Sequence, residues 1–74
     1  MASLYGTAVH SDGSRVDRTA RIGTSWNSTV AFPRMGKYEL DLGSNPRKEI
    51  TVYVDGMKYA KIYVEGDTRL DIKL

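Results

Sequence analysis

Between Ile50 and Leu74 the chain reads "ITVYVDGMKYAKIYVEGDTRLDIKL", and apolar residues fall at every second position for most of that length. Alternation with period two is the mark of strands with one face against a core. In "EITVYVD" the shared face is Ile50, Val52 and Val54; in "YAKIYVE" it is Ala60, Ile62 and Val64; in "TRLDIKL" it is Leu70, Ile72 and Leu74. Asp55-Gly56 and Gly66-Asp67 supply the turns, because glycine reaches positive φ at little cost. Four more segments follow the same rule: 3–9, closed by Asp12-Gly13; 19–26, with Ala20, Ile22, Thr24 and Trp26 on one side; 28–32, ended by Pro33; and 37–42, with Tyr38, Leu40 and Leu42 inward. Phe32 and Tyr38 read as core residues. Nowhere do apolar residues recur at helical spacing over three turns.

Seven short strands with regular turns predict an all-β fold: a mostly antiparallel two-sheet sandwich in one domain, residues 1–74. A five- or six-stranded barrel of the oligonucleotide-binding sort is the runner-up. The expected core is Ala20, Ile22, Leu40, Leu42, Val52, Val54, Ile62, Val64 and Ile72. A Gly56–Lys58 loop would set Val54 against Ala60, Val52 against Ile62 and Ile50 against Val64. On the outer face that register places Tyr53 opposite Lys61 and Thr51 opposite Tyr63.

Those outward residues raise the functional question. Thr51, Tyr53, Tyr59, Lys61 and Tyr63 combine amphipathic rings with few charges, a composition enriched at protein–protein interfaces. They form the candidate interaction face, for self-association or a protein partner. The competing account is that Tyr53 and Tyr63 only brace neighbouring strands. A chain this short buries only about 60% of its unfolded surface and gains from association.

Composition removes most chemistry. With no cysteine there is neither a disulfide framework nor a thiolate metal site, and the single histidine, His10, lies beside a turn. Ser11 and Ser14 are turn formers, and the pairs Glu39/Asp41 and Asp55/Glu65 fall on solvated positions. The expectation is a non-enzyme with no catalytic residues, metal or cofactor. No basic segment precedes an apolar run and no stretch of about 20 apolar residues occurs, so neither a signal peptide nor membrane insertion is expected. Compartment stays open, as does whether Met1 begins a whole protein or a piece of one.

Net charge is +2, unevenly spread. Residues 1–37 carry Arg15, Arg18, Arg21, Arg34 and Lys37 against Asp12 and Asp17, whereas residues 38–74 hold six basic side chains against seven acidic ones. The four arginines are candidate anion contacts, but without a Lys/Arg run nucleic acid is the weakest of the partners weighed. Trp26, with Asn27 beside it, reads first as a core tryptophan and second as a platform stacking on a sugar ring in a carbohydrate-binding module.

Strands and punctuation together resemble a known family. Gly6, Asp12-Gly13, Gly36-Lys37-Tyr38 followed by Leu40, the Ile50/Val52/Val54 strand closed by Gly56, and Gly66-Asp67-Thr68 followed by Leu70, Ile72 and Leu74 make the frame similar to the carboxypeptidase regulatory-like domain. The resemblance covers nearly the whole chain and implies a transthyretin-like (prealbumin-like) seven-stranded sandwich with an accessory or interaction role. Departures lie at residues 15–20, where charge replaces small residues, at Met57, and at residues 23–35.

Overall fold

A computed structural model describes residues 1–74. It is all β: β1 (Ala2–Val9), β2 (Ile22–Thr24), β3 (Val30–Ala31), β4 (Lys37–Gly43), β5 (Lys48–Val54), β6 (Met57–Val64), β7 (Thr68–Arg69) and β8 (Ile72–Lys73). Two four-stranded sheets form. In the first, β4 pairs antiparallel with β1, while β7 and β8 run parallel to β1 along its other side. The second has the order β3-β2-β5-β6 and is antiparallel throughout.

The count is eight rather than seven because the last predicted strand, 68–74, breaks at Leu70–Asp71. Both pieces keep one register, since Leu4 pairs with Thr68 and Ala8 with Ile72 at the same offset. At the break the Asp71 carboxylate accepts the Thr7 N–H at 3.0 Å, standing in for a backbone carbonyl. Four residues earlier Asp67 accepts the Ser3 N–H in the same way at 3.1 Å. The backbone therefore leaves the ladder locally while β1 keeps its donors satisfied.

One cluster of 14 buried apolar residues draws on both sheets. Eight of the nine expected core residues belong to it; the ninth, Ile62, is only half-buried because β6 ends its sheet. Pattern reading left out Ala2, Leu4 and Ala8 of β1, and Val16, which lies outside any strand. Val16 is pinned from both sides: its N–H donates to Ala8 and its carbonyl accepts from Gly36. Phe32 corrects the core expectation, being 55% exposed. Half-buried Ala31 and buried Pro33 take the inward positions, so alternation turns Phe32 out between them.

The β5–β6 register also differs from expectation, by three residues beside the turn and by two beyond it. Observed partners are Val54–Met57, Tyr53–Lys58, Val52–Ala60, Thr51–Lys61, Ile50–Ile62 and Glu49–Tyr63. Asp55 (φ 52°) and Gly56 (φ 81°) close a two-residue turn, the length whose twist matches that of the strands it joins. Tyr59 is then an extra residue, a bulge between Lys58 and Ala60. The bulge makes the shift even from Val52–Ala60 onward, which preserves which side each residue faces, so the apolar face was right while its partners were not.

Candidate functional site

On β5 the buried Ile50, Val52 and Val54 fix the core side, which turns Thr51 and Tyr53 outward. Opposed residues share a side, so Lys61 across from Thr51 and Tyr63 across from Glu49 face outward too. Four of the five expected interface residues, Thr51, Tyr53, Lys61 and Tyr63, therefore share the outer face of the second sheet, and Tyr63 is 58% exposed. Tyr59 is the exception. Its hydroxyl accepts the Lys73 N–H at 3.0 Å, so its polar end is engaged by β8 of the other sheet. The expected pairs Tyr53–Lys61 and Thr51–Tyr63 give way to Tyr53–Lys58 and Thr51–Lys61.

Below this face runs an open strand edge. The Thr51 N–H donates to Ser25 Oγ at 3.0 Å and the Thr51 carbonyl accepts the Ser25 N–H at 2.9 Å, so both groups point away from β6. Thr51 and Lys61 are thus a non-hydrogen-bonded pair, and alternation turns the N–H and C=O of Lys61 and Tyr63 away from β5. No strand lies beyond β6. These backbone groups stand unpaired directly below two exposed side chains.

Trp26 and Asn27 are committed to holding the sheets together. The indole Nε1–H donates to the Leu42 carbonyl at 3.0 Å, and the Asn27 amide donates to the same oxygen at 3.2 Å. Trp26 packs against the core, with Lys48 Nζ 5.1 Å from its ring centroid. It lies on the core side of its sheet and Tyr53 and Tyr63 on the other, so no common stacking platform joins them.

Three of the four candidate arginines gather where the 15–18 loop meets the turn before β4. Arg34 and Lys37 face each other across Met35-Gly36, with Arg34 N–H to Lys37 O at 2.7 Å and Lys37 N–H to Arg34 O at 3.1 Å. The Arg18 N–H donates to Pro33 O at 2.7 Å, and Arg18, Phe32 and Arg34 line one depression. Arg15 lies over Gly36, where an added Cβ would come within 2.9 Å of its Cγ. Arg21 is elsewhere, its N–H bonded to the Asp55 carboxylate at 2.9 Å.

Next to this cluster a groove of about 570 Å³ crosses the outer face of β1 and β4. Tyr5 and Phe32 are its exposed rings, and Arg34, Lys37, Arg69 and Glu39 its charges. Arg69 is shared, its Nε 3.1 Å from Asp71. The Thr7 N–H, and after it Arg69, hold the Asp71 carboxyl below the usual carboxylate range. Sequence reasoning missed Tyr5, Lys37 and Arg69 as a group. The signal was present for Tyr5, which falls outward once Ala2, Leu4 and Ala8 are read as inward, but strand order alone joins it to Lys37 and Arg69. Comparison of the chain with protein-family models, with curated proteins and with solved structures found no match.

Proposed function

We propose that this domain is a non-catalytic interaction module that associates with a second copy of itself through β6. The unpaired backbone of Lys61 and Tyr63 at the open edge carries the reading, because an exposed edge is a template for another strand. Antiparallel pairing about Ile62 would place Lys61 of each copy opposite Tyr63 of the other. That is a cation–π arrangement on the outer face, with the half-buried Ile62 side chains meeting inside. It joins two four-stranded sheets side by side, with Lys61 and Tyr63 at the seam and Thr51 and Tyr53 one strand in from it. We also infer a transthyretin-like sandwich related to the carboxypeptidase regulatory-like domain, with the seventh strand split into β7 and β8. The two shared-core sheets and the Gly6, Gly36 and Gly56 positions support that assignment.

Light scattering from micromolar to millimolar protein tests the association. The parent is expected to dimerise with rising concentration, and Tyr53→Ser/Tyr63→Ser to weaken the dimer. Lys61→Pro removes an N–H that the monomer does not use, so it is expected to keep the fold and abolish pairing. A parent that stays monomeric throughout, or a dimer indifferent to Lys61→Pro, would refute the proposal.

A further inference from the structure

We propose that the groove over β1 and β4 binds a nucleoside phosphate, its base stacked on Phe32 and its phosphate held between Arg34 and Lys37. Two features converge there. Phe32 is held outward by inward Ala31 and Pro33, so its ring is presented to solvent by the backbone itself. Arg34 and Lys37 sit directly opposite each other across a tight turn, where like charges destabilise. Neither is ion-paired, the ion pairs of the fold being Arg18–Asp17 and Arg69–Asp71. Glu39, two residues from Lys37 on the same face, and Asp17, whose carboxylate accepts the Met35 N–H at 3.2 Å, are the acids nearest them in the groove and turn. Two facing cations that no ion pair engages are where an anionic ligand is expected.

Ligand chemistry follows from what the groove offers. Two adjacent cations with Arg69 nearby call for a phosphate, and the exposed rings of Phe32 and Tyr5 call for a flat partner beside it. Arg18, paired with Asp17, lines the adjoining depression with Phe32 and Arg34. An acidic peptide would neutralise the cations but leave both rings without a planar partner. Free nucleotide and single-stranded nucleic acid share the required chemistry.

Amide-resolved NMR titration of ¹⁵N-labelled protein with the oligonucleotide dT8, with AMP and with octa-aspartate separates these sources. Expected shifts fall on Tyr5, Phe32, Arg34 and Lys37, from dT8 alone if the ligand is a strand and equally from AMP if it is a nucleotide. For about three phosphate contacts with a single strand, affinity for dT8 falls roughly twentyfold between 50 and 200 mM salt. Phe32→Ser, at an exposed position, is expected to lower affinity about tenfold without moving the unfolding midpoint. The proposal is overturned by absence of shifts from both dT8 and AMP at millimolar concentration, by octa-aspartate binding as tightly, by shifts centred on Thr51–Tyr63, or by a Phe32→Ser variant that binds like the parent.

Discussion

The hydroxyl of Tyr38 in β4 donates to the backbone carbonyl of Leu70, at the point where the ladder between β1 and the C-terminal segment is interrupted. Gly6 is the cross-strand partner of Tyr38, and a methyl group there would overlap that same carbonyl. Buried tyrosine, bare glycine and the broken strand therefore form one unit. Tyr38→Phe removes the donor and leaves the carbonyl unpaired, an expected loss of about 1–2 kcal/mol. Gly6→Ala pushes backbone against backbone and is expected to cost about 3 kcal/mol or more. Urea denaturation of the two variants measures both. A Gly6→Ala protein as stable as Tyr38→Phe would show that the crossing segment yields to the added methyl.

Stability is expected to fall on both sides of a neutral plateau. Hydrogen bonds from Thr7 and then Arg69 lower the Asp71 pKa in the fold, so its contribution is present above about pH 4 and is lost as pH falls toward the lower folded value. Asp12 acts in the same direction through the Ser14 N–H and hydroxyl. Tyr38 acts oppositely: burial, then the nearby Asp71 charge, raises its pKa. Its contribution is full below about pH 10 and declines as pH rises beyond that value. Urea midpoints across pH should show Asp71→Asn flattening the acid limb and Tyr38→Phe the alkaline limb. An acid limb unchanged in Asp71→Asn would place the titration on other carboxylates.

Tyr59 and Tyr63 sit on the same strand but are expected to behave differently. Tyr59→Phe deletes the acceptor for the Lys73 N–H, so exchange of the Lys73 amide with solvent is expected to quicken while global stability changes by no more than about 1 kcal/mol. Tyr63→Phe is expected to leave Lys73 exchange unaltered. Hydrogen exchange followed residue by residue decides the point, and equal effects from the two variants would contradict the bridge between β6 and β8.

Alternation in the amino-acid sequence was enough to determine the all-β class, the inward sides of β4, β5 and β6, and eight of nine expected core residues, since period two is imposed by each strand on its own. It could not determine what depends on a second segment. The two-residue Asp55-Gly56 turn together with the Tyr59 bulge leaves the same apolar face as the expected three-residue loop, so the sequence carried no signal against the wrong partners for Tyr53. Phe32 looked like core because it is apolar; only the inward seats of Ala31 and Pro33 turned it out. Arg18 and Arg34 are brought together by backbone bonds between the 15–18 loop and residues 33–36, while Arg21, only three residues after Arg18, is drawn away to Asp55. The one-dimensional pattern specifies the side a residue faces, but its neighbours on that side come from strand order and loop packing, which are set by contacts between residues far apart in the chain.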